Sequence, residues 1–128
     1  MSYYFSKTLD MPFDKAIAHV IEQLKKEGFG VLTEIDVRAT LQKKLGADFR
    51  HYRILGACNP PFAFEALKAE DKIGTMLPCN VIVQETPEGA VEVAAVDPVA
   101  SMQAVDNPSL AGVALQVQAK LKSVVDNL

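Results

Sequence analysis

Residues 81–96, with the sequence VIVQETPEGAVEVAAV, decide the fold class of this chain of 128 residues. Apolar residues dominate both halves of this stretch, and Pro87, Glu88 and Gly89 between them are typical of a turn. We predict that residues 81–86 and 91–96 form two strands of an antiparallel hairpin. A hairpin placed among helical segments indicates an α+β protein with a mainly antiparallel sheet, because a parallel sheet needs a crossover after every strand.

The sequence on either side of the hairpin predicts three more strands and several helices. Apolar residues at helical spacing predict a helix that begins at Pro12 and ends at Gly28, and a long helix that begins at Asn107-Pro108. Three pairs of a polar cap and a proline predict helix starts at Asn59-Pro60, Asp97-Pro98 and Asn107-Pro108. Alternating patterns predict strands over residues 3–9, 31–37 and 52–58. We therefore expect about five strands with helices packed on one face, in a single domain of residues 1–128.

Two expectations concern the strand over residues 31–37. Its alternation predicts a half-buried strand with one face formed by Val31, Thr33, Ile35 and Val37. Glu34 and Asp36 then share the other face, where they either hold a cation or pair with Lys or Arg across the strand. If Gly30, just before this strand, adopts a positive φ, Gly30→Val should destabilise the fold.

Composition limits the function classes. Apolar residues make up 49% of the chain and charged residues 23%, the balance of a globular protein. With 13 Lys and Arg against 16 Asp and Glu, the net charge of −3 provides no basic field for nucleic acid. The longest uncharged run, residues 107–119, is too short for a membrane span, and residues 1–7 lack the pattern of a signal peptide. A cytoplasmic location is therefore expected.

Two uncharged segments, residues 54–64 and 73–84, are the candidate binding elements. Each contains one cysteine followed by an asparagine: Cys58-Asn59 at the end of a predicted strand and Cys79-Asn80 at the start of another. If those strand ends are neighbours, the four side chains lie beside an apolar pocket. We therefore predict a ligand site at Cys58, Asn59, Cys79 and Asn80.

The same cysteines allow three other interpretations. Cys58 precedes a predicted helix start, which favours a thiolate and would suit a nucleophile or a redox thiol. Cys58 and Cys79 with Met76, or with Met102, are donor types that suit a soft metal such as Cu(I). Both cysteines also serve as small apolar side chains of an ordinary core. No Cys-His or Ser-His-Asp arrangement is recognisable, so a non-enzymatic role is preferred, and no cofactor is assigned.

Several motifs in the chain resemble one known family. Residues 27–37, EGFGVLTEIDV, residues 52–60, YRILGACNP, and residues 77–81, LPCNV, resemble three successive signatures of the domain-of-unknown-function family 302. Asp97-Pro98 with Met102 fits the tail of the same family. The resemblance implies an α+β fold similar to the β-α-β(4)-α arrangement of the TATA-binding protein. It also implies a small bacterial or archaeal protein that forms a homodimer, and it supplies no reaction.

Together these features favour a homodimeric binding module with an apolar pocket near the two Cys-Asn segments, holding a small molecule or a soft metal. The alternatives are a thiol-dependent enzyme or redox protein that uses Cys58, and a purely structural or interaction protein that assembles through its last helix or an edge strand.

Overall fold

The computed structural model of the chain describes residues 2–128 and contains five strands and five α-helices in that range. Two 3₁₀ turns, Ile73–Met76 and Pro108–Leu110, precede β4 and α5. The elements in chain order are β1 (Tyr4–Leu9), α1 (Phe13–Lys26), β2 (Gly30–Asp36), α2 (Val37–Leu45), β3 (Tyr52–Cys58), α3 (Pro60–Ala69), β4 (Cys79–Glu85), β5 (Val91–Val96), α4 (Pro98–Ser101) and α5 (Ala111–Asp126).

All strand pairs in the sheet are antiparallel, and the spatial order is β1-β5-β4-β3-β2. The hairpin at the centre pairs Val81 with Ala95 and Glu85 with Val91. The predicted α+β class with a five-stranded antiparallel sheet is therefore confirmed. The element order is compatible with the β-α-β(4)-α arrangement that the family resemblance implies, with α2, α3 and α4 as short additional helices.

The helices pack on one face of the sheet, as predicted. Side chains alternate across each strand, and the aliphatic ones collect on the face toward α1 and α5. Burial of each such side chain stabilises the fold by about 1.5–3 kcal/mol. The main core consists of Leu9, Leu55, Ala57, Val81, Val83, Val91, Val93 and Ala95 from the sheet, Ala16, Ile17, Val20 and Leu24 from α1, and Val117, Leu121, Val124 and Val125 from α5, together with Phe29.

The helix ends largely follow the predicted local chemistry. Gly28 follows α1 with φ +86°, and Gly46 ends α2 with φ +62°; only glycine adopts this region without strain. The Asp97 side chain accepts a hydrogen bond from Val99 N at 3.0 Å at the start of α4. Asn107 does the same for Ser109 N at 3.0 Å before α5. Both predicted caps are thus confirmed.

The strand predicted over residues 31–37 is present as β2, but it is not half-buried as predicted. β2 is an edge strand with a bulge between Val31 and Thr33, and Leu32 and Ile35 are 67% and 47% exposed. The extra residue reverses the alternation, so Val31 faces the helices but Thr33 and Ile35 face away from them. Val37 is already the first residue of α2.

Glu34 and Asp36 pair with an arginine. Both carboxylates form ion pairs with Arg53 of the neighbouring β3, Glu34 with Nη1 and Asp36 with Nη2. Of the two interpretations of these residues, the structure shows the cross-strand pairing. His51 lies nearby and accepts a hydrogen bond at Nε2 from Arg38 Nη1 at 2.6 Å.

Within residues 2–128, we find no helix with the length and apolar character needed to cross a membrane.

Glycine substitutions test the packing where β3 meets β4. Gly30 does not have a positive φ, so the condition for a destabilising Gly30→Val is not met, and a Cβ there would meet no atom within 4 Å. Gly56, by contrast, is buried, and its Cβ would overlap Thr33 Oγ1 and lie 2.8 Å from Pro78 Cγ. We expect Gly56→Ala to lower the free energy of unfolding by about 1–3 kcal/mol, measured by urea denaturation.

Gly30→Ala is the matched control, because the same methyl group enters open space there. We expect its free energy of unfolding to stay within about 0.5 kcal/mol of wild type. Equal stability of both variants would show that the contact between Gly56, Thr33 and Pro78 is unimportant.

Candidate functional site

The candidate site lies where the end of β3 meets the start of β4. The register pairs Ala57 with Cys79, so Cys58 and Cys79 are on adjacent strands, one residue out of register. A pocket of about 330 Å³ opens here, and both cysteines line it. The sheet end forms its floor, and α3, α5 and the segment before β4 form its walls. The two cysteine-containing segments of the sequence therefore meet at one pocket.

The walls of the pocket are mostly helical and apolar. Phe62, Ala63, Ala66 and Leu67 come from α3, and Val113, Ala114 and Val117 come from α5. Pro60 and Pro61 begin α3, where their missing N–H groups cost nothing. Ala63 and Ala66 share one face of α3 at a spacing of three. Because alanine side chains are short, they leave space between α3 and α5 that larger residues would fill.

The lining contains no Asp, Glu, Lys, Arg or His side chain. Its polar groups are the two thiols and Asn59, beside backbone groups. Such a surface favours an apolar ligand, because a charged ligand would lose its hydration without gaining an opposite charge.

The two cysteines are free thiols and half-buried. Burial is the main cause that raises the pKa of Cys79 from 9.0 to about 11, and the neighbouring Cys58 adds to the shift. At neutral pH Cys79 is therefore a protonated thiol. In that form it acts as a small apolar wall of the pocket and as a weak hydrogen-bond donor.

Asn59 is the buried polar residue of the site, with only 8% of its surface exposed. The sequence predicts that its side chain caps α3, and this is wrong. Its Nδ2 instead donates a hydrogen bond to the carbonyl oxygen of Glu27 at 3.1 Å. This bond ties the turn after α1 to the start of α3. Gly28 lies against the same amide, and a Cβ at Gly28 would be 3.1 Å from Nδ2.

The other predicted site residues lie elsewhere. Asn80 is exposed and pairs with Gly56, which places its side chain on the sheet face away from the helices. Met76 is 40% exposed and is not part of the lining, whereas Met102 is. Across residues 2–128, no cluster of three or more His, Cys, Asp and Glu side chains has the geometry to hold a metal ion. The sulfur groups that the structure brings to one pocket are Cys58, Cys79 and Met102.

Several lining residues were missed by the sequence analysis. Leu32 reaches the pocket because it is the extra residue of the β2 bulge, and Pro98 comes from the start of α4. The α5 residues lie more than thirty positions beyond Cys79, so no local pattern links them to it. The available signal was the pair Ala63 and Ala66, whose small size on an otherwise apolar helix indicates a gap in the packing.

The Cys79 thiol makes stability depend on pH at alkaline values. Its native pKa is about 11 and its ordinary value is 9.0, so the unfolded chain loses the proton first. The contribution of this thiol to the free energy of unfolding is complete below pH 9, and it is lost as pH rises from about 9 to about 11. We expect urea denaturation to show a steeper loss of stability in this range for wild type than for Cys79→Ala. Identical pH profiles of the two proteins would contradict the burial of this thiol.

A nearly isosteric substitution tests the hydrogen bond of Asn59. Asn59→Asp replaces the donor with a carboxylate that faces the carbonyl oxygen of Glu27. We expect the free energy of unfolding at pH 7 to fall by about 1–3 kcal/mol, because a buried acceptor then lacks its donor. Gln103→Glu, the same amide-to-carboxylate change at an exposed position outside the site, is the control. It should unfold within about 0.5 kcal/mol of wild type. An unchanged free energy of unfolding for Asn59→Asp would show that this hydrogen bond does not stabilise the native state.

Comparison with known proteins identifies the family and one related structure. The sequence model of the family "Domain of unknown function DUF302" matches residues 5–128. The fold is similar to the crystal structure of an uncharacterized conserved DUF302 protein from Bacillus stearothermophilus. That protein is 28% identical, the match covers 98% of both chains, and the TM-score is 0.91. A search of curated proteins gives no significant match. Since the family match extends from β1 to the end of α5, the chain belongs to the DUF302 family.

Proposed function

We propose that this protein is a homodimeric binding module whose pocket at Cys58 and Cys79 holds a small, mainly apolar molecule. The observation that carries the proposal is the pocket itself, about 330 Å³ in volume, with an apolar lining that contains no charged side chain. Pockets of a few hundred Å³ with apolar walls and a few polar groups are typical of small-molecule sites.

The volume limits the size of the ligand. An apolar cavity of about 150 Å³ binds benzene. By that measure this pocket fits a molecule of about two aromatic rings or an aliphatic chain of similar volume. The lining also indicates where polar atoms of the ligand would lie, because Cys58, Cys79 and Asn59 are at the sheet end and the helical walls are apolar.

The Asn59 amide helps to shape the pocket rather than to bind the ligand directly. Its Nδ2 is already engaged with Glu27. The proposed contact residues are therefore Cys58 and Cys79 with the apolar side chains of α3 and α5, while Asn80 lies outside the site. The free thiols are compatible with a reducing compartment, and a cytoplasmic location is part of the proposal.

A thiol-dependent function of Cys58 is the second candidate. Cys58 is a half-buried free thiol two residues before α3, and it lines the same pocket as Cys79. Binding is preferred over catalysis because the lining offers no acid or base to transfer a proton. Timed alkylation with iodoacetamide at pH 7 tests this candidate. Cys58 labelling much faster than that of a free cysteine peptide would favour the thiol function.

Native mass spectrometry of protein purified without chelator or reductant tests the proposal first. We expect a dimer that either retains a small organic molecule or takes up 1-naphthol, a probe of two fused aromatic rings that is uncharged at neutral pH. Saturation with the probe should raise Tm, since a ligand at about 100 times its Kd stabilises the native state by about 2.7 kcal/mol.

Filling the pocket provides the decisive variant. Ala63→Phe places a ring in the space between α3 and α5, and we expect it to weaken probe binding at least tenfold. Ala119→Phe, an equal change at an exposed position of α5, should bind like wild type. Equal binding by both variants, or no uptake by wild type, would contradict the proposed pocket. A retained copper ion that is lost in both Cys58→Ala and Cys79→Ala would replace the apolar ligand with a soft metal.

A further inference from the structure

The sheet face turned away from α1 and α5 carries an apolar stripe whose side chains are partly exposed at its centre and exposed at Ile35. The stripe runs across four strands through Ile35, Ile54, Ile82 and Ala94, which the register places side by side. The buried core residues of the sheet all lie on the opposite face. We call the surface around the stripe the open sheet face; its other members are Tyr4, Ser6, Thr8, Thr33, Tyr52, Gly56, Asn80, Gln84, Glu92 and Val96.

The open sheet face combines projections with a depression. A shallow groove of about 400 Å³ runs along it and is lined in part by Tyr52, Ile82 and Ala94. Tyr3 and Tyr4 stand at one side of this groove, 69% and 43% exposed, with their rings packed edge to face at 5.0 Å. A surface that carries both large projecting rings and a groove can fit a rotated copy of itself, as a two-fold symmetric interface requires.

The area of the face reaches the lower limit for a specific dimer interface. Five strands about 4.8 Å apart and about 20 Å long cover roughly 500 Å² in projection. Two copies would then bury roughly 1,000 Å² in total, which is about the smallest area expected of a specific interface.

The charges on the face also favour a second copy over nucleic acid. Glu92 is the charged residue in the groove lining, and its carboxylate accepts a hydrogen bond from Gln84 Nε2 at 2.9 Å. Arg50 at the margin donates Nε to Gln84 Oε1 at 3.0 Å. One acid and one base of this kind neither repel a second copy nor supply the basic cluster that nucleic acid needs.

We infer that two copies of this chain associate through their open sheet faces, with the isoleucine stripes in contact and the tyrosines of each copy against the groove of the other. This inference rests on the homodimer part of the proposed function. It leaves each ligand pocket on the outer side of the dimer, because the pocket lies on the opposite side of β3 and β4.

Sedimentation equilibrium at micromolar concentration tests the inference with charge substitutions. We expect wild type to be a dimer and Ile82→Glu to weaken dimerisation at least a hundredfold. Leu115→Glu is the matched control: Leu115 is an exposed α5 residue, 57% accessible, on the helical side, and this variant should remain a dimer. Ile35→Glu gives a second test at a side chain that is already 47% exposed, where the fold tolerates a charge.

The outcomes separate this interface from the ligand site. Folded, monomeric Ile82→Glu or Ile35→Glu with a dimeric Leu115→Glu supports the inference. A monomeric wild type, or dimers that persist in folded Ile82→Glu and Ile35→Glu, overturns it; the latter result would place the contact at an edge strand or at α5. Uptake of 1-naphthol is measured on the same proteins, so a lost dimer with retained binding leaves the pocket proposal standing.

Discussion

The antiparallel pairing of β3 with β4 is the constraint on which the rest of the structure depends. It sets Ala57 opposite Cys79 and Gly56 opposite Asn80. The first pair brings two uncharged segments, separated along the chain, to one end of the sheet. The second pair needs a glycine, because Thr33 and Pro78 occupy the space that a side chain at position 56 would take. A shift of one residue would move the valines of β4 out of the core, so hydrophobic burial fixes this register.

The pocket at this sheet end exists because of how α3 and α5 pack over the paired ends of β3 and β4. α3 begins directly after β3, and its position is held by the bond from Asn59 to the carbonyl oxygen of Glu27. Small residues on α3 and α5 then keep the two helices from filling the space between them. The same burial that makes the space apolar keeps the Cys79 thiol protonated. The packing of α3 and α5 over the sheet end therefore determines the shape of the pocket, its polarity and the protonation of its thiol.

The features that local chemistry determines could be predicted from the sequence. The hairpin over residues 81–96, the face of α1 and the caps at Asp97 and Asn107 each depend on residues within one turn or one strand. Predictions failed where a distant partner decides the outcome. Asn59 has the residue type of a cap, but the carbonyl of Glu27 offers its amide a partner on another element. The prediction for β2 assumed that side chains alternate without interruption along the strand. A single extra residue at the bulge reverses this alternation.

Only the part of the candidate site that depends on local sequence could be predicted. Two uncharged segments at strand ends indicate a shared apolar region, but strand alternation already separates Cys79 from Asn80, since consecutive residues point to opposite faces. The walls contributed by α5 depend on long-range packing and have no local signature near Cys58 or Cys79.

Alternation across β3 and β4 also explains how one pair of strands can serve two surfaces. Leu55, Ala57, Val81 and Val83 face the helices, and Ile54 and Ile82 between them face the opposite side. In a sheet with helices on one face only, the other face contacts water, and threonine or lysine suits that face better than isoleucine. The proposed dimer contact accounts for aliphatic residues at matching positions of three adjacent strands. In that proposal β3 and β4 form the floor of the pocket with one face and the centre of the contact with the other.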